Sequence, residues 1–282
     1  METRRMSYAG TWYPDSADEC IREIESFLAE KQIDSPVAEP CGAIVPHAGW
    51  VFSGGIACRA ISLLKNGPEP DTIILFGMHL YPKSAPRIMP GGSMATPLGP
   101  LEINRELAEK LVARFSFGRE SDIHFTPDNS IEVQLPFIKY FFKNAQLVAM
   151  GVPPDPVSVE IGKFVARTAR EMNMTIRVIG STDLTHYGTS FGLTHYGLGE
   201  QAYRQVRENE DRWIIERMLE MEPYRVIDEA LAKHNACCAG AAAAALAAGK
   251  ELGSTGACLT EYATSYDKSP TDSFVGYAGI VF

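Results

Sequence analysis

Apolar positions along the chain alternate between helical stripes and short unbroken runs, a pattern that predicts helices and buried strands in turn. Cys20, Ile21, Ile24, Phe27 and Leu28 form one stripe within Asp15 to Lys31. Cys41 to Val45 is a short apolar run, broken by Pro46-His47-Ala48-Gly49. Ser53 is placed to cap a helix reaching about Lys65, with Gly54 and Gly55 in its first turn. Asp71 to Phe76 predicts the next strand, ended by Gly77-Met78-His79. Leu80 to Pro100 is rich in proline, glycine and serine and reads as loop with short strands. Helices are expected near Asn104–Phe115, Asn129–Phe141 and Pro156–Met172, and strands at Gln146–Met150 and Thr175–Gly180. The last strand runs into Ser181-Thr182-Asp183-Leu184-Thr185-His186.

From Gly199 to Gly253 the pattern is helical, with a break at Pro223 and a small-residue helix after Cys237. Ala257–Ser265 and Phe274–Phe282 alternate as strands. Strand and helix alternation implies an α/β fold with a central, mostly parallel or mixed sheet and helices on both faces. The late strands add an antiparallel edge. No internal repeat or low-complexity linker divides the chain, so residues 1–282 read as one domain.

Composition narrows the function classes. A formal charge of -9 and a pI near 5.2 disfavour nucleic acid and anionic membrane surfaces, both of which select basic faces. The apolar stretch Ala239 to Ala248 is too short to cross a membrane and suits close helix packing. The first residues lack the apolar core of a secretory signal, and six cysteines are scattered without scaffold spacing. A cytoplasmic protein with reduced thiols is expected.

Three predicted strands each run into a turn bearing a histidine: His47, His79 and His186. Ligands of doubly wound sheets bind beyond the carboxyl ends of the strands. One such histidine is an ordinary turn residue, whereas three in equivalent positions point to a shared site, with Asp183 flanking the same turn as His186. In His234-Asn235-Ala236-Cys237-Cys238 the thiols sit where the alanine-rich helix begins. A helix N-terminus favours the thiolate, although cysteine is equally at home as a small buried hydrophobe. Gly54-Gly55 reads as tight packing rather than an anion cradle. Glu132 faces either a pocket or solvent, and Trp12, Tyr13, Trp50 and Phe52 either wall a pocket or fill the core.

Five motifs in order carry a family resemblance: Arg5 with Ala9-Gly10-Thr11-Trp12-Tyr13-Pro14, then Pro46-His47-Ala48-Gly49-Trp50, Ser130-Ile131-Glu132-Val133-Gln134-Leu135-Pro136-Phe137, Ser181 to His186, and His234-Asn235 with Cys238. The chain resembles the Memo family, which includes the Memo protein of animals and the microbial AmmeMemoRadiSam system protein B. That family is similar in fold to the class III extradiol dioxygenases. The resemblance implies metal ligands at His47, His79 and Cys238, with Asp183 and His186 as catalytic groups lining the same pocket. The metal it implies is Fe(II), with copper or zinc as alternatives favoured by a sulfur ligand. AMMECR-like and radical SAM proteins are the implied pathway partners, and the small-molecule substrate stays open. The chain departs from the family pattern in three places. The turn before His79 is one residue shorter, Asn129 stands where a histidine is common, and Cys238-Ala239-Gly240 replaces Cys-Gly.

The leading expectation is therefore a non-haem metal oxidoreductase, with His186 as general acid/base oriented by Asp183. The same pocket could instead serve a non-catalytic binding or adaptor protein, or a zinc hydrolase.

Overall fold

Four parallel strands form the centre of the computed structural model, which describes residues 2–33 and 37–282. Their spatial order is Gly42–Val45, Ile176–Ser181, Thr72–Gly77 and Gln146–Gly151. All but Gln146 are fully buried, as strands covered on both faces must be. Ser273–Val281 adds antiparallel to Gly42–Val45 and pairs in turn with Cys258–Thr264 and His186–Gly188. On the other side Arg87–Ile88 joins antiparallel to Gln146–Gly151, and Gly118–Arg119 continues parallel to it. The sheet is thus mixed, with a parallel middle and antiparallel flanks, and the α/β expectation holds. A small second sheet joins Thr3–Arg4, Ser93–Met94 and Leu101–Glu102.

One face of the sheet carries the helix Ala239–Leu252 and, packed on it, Pro156–Glu171. Residues 239–249 are all buried, and their small size lets backbones touch. A Cβ on Gly180 would lie 2.8 Å from the Ala241 carbonyl oxygen, and one on Gly162 would land on the Ala244 carbonyl. The poly-alanine character therefore sets how deeply the helix, and the cysteines at its start, sit against the strand ends. Gly162→Val should cost about 3 kcal/mol by overpacking this contact, read as a lower urea midpoint at unchanged slope. A cost under ~1 kcal/mol would show that the two helices can part freely.

The opposite face is covered by Gly55–Leu63, with Ala17–Glu30 and Leu135–Phe141 outside it. Here two expectations need correction. Ser53 does not cap the helix. It lies in a π-helical turn, Trp50–Gly54, that runs straight into Gly55–Leu63, and its hydroxyl donates to the Ala48 carbonyl at 3.3 Å. The segment expected as one helix from Asn129 to Phe141 is two, Asn129–Glu132 and Leu135–Phe141. Pro136 lacks the N–H that would continue the first helix and sits instead in the first turn of the second. Gly54 is a packing residue, since a Cβ there would meet Phe27 and Trp50 at 2.9 Å. Among the described residues no helix is long and apolar enough to cross a membrane.

Candidate metal centre

The three neighbouring strands Gly42–Val45, Ile176–Ser181 and Thr72–Gly77 end side by side, so the turns after them are brought together by sheet pairing alone. His47 follows the first, Asp183 the second and His79 the third. Cys237 and Cys238 arrive from the start of Ala239–Leu252, where Cys238 is the N-cap residue. One donor atom from each of His47, His79, Cys237 and Cys238 lies within 4.8 Å of the others.

Each imidazole has one nitrogen anchored and the other free to face the cluster. His47 Nδ1 sits 3.2 Å from the Ser181 hydroxyl, while its Nε2 lies 3.2 Å from Cys237 Sγ. His79 Nδ1 sits 3.1 Å from Asp128 Oδ2, leaving its Nε2 for the cluster. The two rings meet edge to face with centroids 4.9 Å apart.

The segment Asp128 to Gln134 brackets these turns with four side chains. Asp128 accepts the His79 backbone N–H at 3.1 Å, and Ser130 Oγ accepts that of Met78 at 2.6 Å. Met78 takes a positive φ of 68°, an unusual choice for a branchless but Cβ-bearing residue. That left-handed step lets the shortened Gly77-Met78-His79 turn still aim His79 at the cluster. Asn129 donates to the His47 carbonyl at 2.9 Å, and Gln134 donates to the Pro46 carbonyl at 2.7 Å and to Ser181 at 3.2 Å. Glu132, expected at the pocket or in solvent, is in neither place. Buried, it accepts the backbone N–H groups of Ser7 at 2.6 Å and Tyr8 at 2.7 Å, and the Tyr13 hydroxyl at 3.0 Å.

Asp183 accepts the His47 backbone N–H through Oδ1 at 2.7 Å. Its Oδ2 stands 3.9 Å from His47 Nε2 and 3.8 Å from His186 Nε2. His186 Nε2 is enclosed and has no hydrogen-bond partner among the described residues. The turn between them is fixed from behind, where buried Asp211 accepts the Thr185 backbone N–H at 3.0 Å and the Tyr262 hydroxyl at 2.7 Å.

Charges in the cluster depend on one another. Burial alone would raise the Cys237 thiol, but a hydrogen bond from Cys238 and the His47 and His186 imidazoles hold it well below the usual thiol range. Burial and the charge on Cys237 together push the Cys238 thiol up. Within the pair the thiolate is therefore favoured on Cys237. Burial disfavours charge on His79, yet hydrogen bonds and charges from Asp128 and Cys237 outweigh it and push the imidazole up to about 10. Burial likewise opposes ionisation of Asp128, and the His79 contact overrides it to bring the carboxyl down to about 2.

A raised imidazole stabilises fully below its ordinary value near 6.5 and loses that contribution as pH climbs towards 10. The depressed carboxyl contributes above its ordinary 3.8 and fades as pH falls towards 2. In metal-free protein the His79–Asp128 pair should thus hold best between about pH 4 and 6.5. Imidazole NMR titration of Asp128→Asn should show His79 falling back towards 6.5, and an unmoved His79 would refute the pairing.

The two histidines of the cluster, His47 and His79, form the floor of an open cavity of about 900 Å³. Its walls include Trp12, Tyr13, Trp50, Phe52 and Phe191, with Asn129, Asp183 and His186 beside the floor. The aromatic residues weighed earlier divide the two roles. Trp12 and Phe52 are exposed on the wall, whereas Tyr13 and Trp50 are buried behind it, Trp50 stacked on Phe137 at 4.2 Å.

The family profile described as Memo-like protein matches residues 4–281. The chain belongs to the Memo family. MEMO1 family proteins of Pyrobaculum arsenaticum and Methanococcoides burtonii are each 32% identical to it. The first match covers 100% of this chain and 99% of the relative, and the second 99% of each. Among solved structures, an uncharacterized protein JW3007 from Escherichia coli K12 superposes with a TM-score of 0.50 at 12% identity. That match covers 86% of this chain and 99% of that one, and it shows a shared fold.

Within this Memo-family chain the structure brings His47, His79 and Cys238 into one cluster, with Asp183 and His186 at its edge. It adds Cys237, which sequence reading passed over as the neighbour of Cys238. Both thiols carried the same sequence signal, a place at the start of the alanine-rich helix. Ser130, Gln134 and Ser181 stood within the family motifs without an assigned role, and Asp128 was unmarked, because a hydrogen-bonding bracket has no spacing of its own in sequence.

Proposed function

We propose that this Memo-family chain is a non-haem metal-dependent oxidoreductase acting on a small molecule in the 900 Å³ cavity. The observation that carries this reading is the His47, His79, Cys237, Cys238 donor set, whose two histidines line the cavity. Ligands about 2.0–2.3 Å from one ion lie up to roughly 4.5 Å apart, so a 4.8 Å spread needs a contraction of only tenths of an ångström. The anchoring of each remote ring nitrogen is also what metal-binding histidines require. His47, His79 and the Cys237 thiolate would hold the ion, leaving its remaining positions open towards the cavity. Fe(II) bound there would supply one-electron and oxygen chemistry.

The chain's own groups do the rest. His186 lines the cavity. Burial opposes charge on its imidazole, yet Asp183 and Cys237 outweigh it and push the group up to about 10, so it would act on substrate as a general acid. Asp183 orients it while its other oxygen fixes the His47 backbone. The aromatic walls shed water from a bound ring.

Elemental analysis of protein purified without oxygen, followed by oxygen-uptake assays on phenols and catechols with Fe(II), tests the reading. Stoichiometric iron with turnover supports it, and metal without any turnover removes the oxidoreductase assignment. A second reading follows from Cys238. If it also ionises on metal binding, two thiolates and two imidazoles form a closed set suited to zinc or copper. Zinc or copper retained in preference to added Fe(II) would decide for that reading. Action within the cytoplasm alongside AMMECR-like and radical SAM proteins belongs to the same proposal and rests on the family resemblance.

A further inference from the structure

The cavity has an uneven distribution of charge. Asp15, Glu19 and Glu23 line its outer part and Asp183 its inner part, while no lysine or arginine lines it among the described residues. Two cations stand at the rim itself, Arg22 beside Glu19 and Lys268 beside Glu23. Arg22 reaches Glu19 only at 3.9 Å with both side chains more than half exposed, and Lys268 Nζ donates to the Val51 carbonyl. Bulk solvent leaves such a rim pair weak, so the carboxylates remain available.

Two further features point to a ligand that donates hydrogen bonds. Asn129, which lines the cavity, donates its amide nitrogen to the His47 carbonyl at 2.9 Å and keeps its oxygen as an acceptor. Asp183, 95% buried in its side chain, lines the cavity with its Oδ2 3.9 Å from His47 Nε2 and 3.8 Å from His186 Nε2. The walls are aromatic and partly exposed: Trp12, Phe52 and Phe191 keep 37%, 42% and 45% of their surface open. Large apolar side chains gathered around one concave site, rather than scattered, mark a ligand surface. Rings also attract cations through their faces.

We propose that the ligand of this cavity is a small aromatic molecule carrying a protonated amine. Its ring lies between Trp12, Phe52 and Phe191, its ammonium group meets the Asp15, Glu19, Glu23 rim, and its polar ring substituent reaches the histidine floor. This class rests on reading the cavity as the substrate site. An aromatic carboxylate lying the same way round would bring its charge against the three rim carboxylates, which is selection by repulsion as much as by attraction.

Titration calorimetry of the full chain with tyramine and with 4-hydroxyphenylacetate isolates the charge, because the two probes share a ring. Tyramine should bind at least about tenfold more tightly at low salt, and the ratio should shrink as salt screens the rim. Glu19→Gln with Glu23→Gln should bring the ratio below about threefold while leaving metal content unchanged. Equal affinities, preference for the acid, or no binding of either probe overturns the amine class. A ratio unaffected by the double variant does the same. Metal content measured on the same samples keeps the two readings apart. Metal without amine preference removes only the ligand class, and amine preference without metal removes only the metal reading.

Discussion

Cys237→Ala should lose at least about a hundredfold in metal affinity while the fold stays intact. Cys237 supplies the anionic donor, 3.2 Å from His47 Nε2. Without it the cluster retains two imidazoles and a Cys238 thiol that burial holds protonated. Cys238→Ala should cost less than about tenfold, because metal need not displace that proton to bind the other three groups. Competition against a chelator, with metal read by elemental analysis, separates the variants. Thermal melting of the metal-free proteins checks that both fold. The reverse order, in which Cys238→Ala empties the site and Cys237→Ala does not, would reassign the thiolate.

Glu132→Ala should destabilise the protein by about 3 kcal/mol, since it leaves the buried Tyr13 hydroxyl and two partly buried backbone N–H groups without an acceptor. One carboxylate oxygen receives Ser7 N–H, Tyr8 N–H and the Tyr13 hydroxyl, all far away in sequence. The charge on Glu132, after burial, is also what pushes the Tyr13 phenol up, so the phenol remains a donor at every ordinary pH. Losing the carboxylate should release the segment through Pro14, which forms one wall of the cavity. Glu132→Gln should cost less, because an amide oxygen can still accept. Urea unfolding gives the energies, and limited proteolysis near Gly10 reports the freed segment. A loss under ~1 kcal/mol for Glu132→Ala would show that water replaces the carboxylate easily.

How much of this was legible beforehand depends on the kind of interaction. The strands at Asp71–Phe76 and Thr175–Gly180 were readable because a strand buried on both faces is an unbroken apolar run. The turn histidines were readable because strand ends in such sheets converge. The split at Pro136 was visible as a proline, yet its effect depended on which residues already had N–H partners. The π-helical turn at Trp50–Gly54 had no periodic signature, because it is one irregular turn fused to a regular helix.

By itself, then, the sequence determined the α/β alternation, the small-residue helix and the positions of His47, His79, Asp183 and His186 at strand ends. These follow from local periodicity and from sheet topology, both written into consecutive residues. Only the tertiary structure placed Cys237 beside Cys238 in the cluster, found the bracket of Asp128, Ser130 and Gln134, and put Glu132 in a buried tie with the N-terminal segment rather than at the pocket or in solvent. Each of those outcomes turns on side-chain direction and on a hydrogen-bond partner dozens of residues away. No spacing within the chain encodes such a partner, and folding alone brings it within reach.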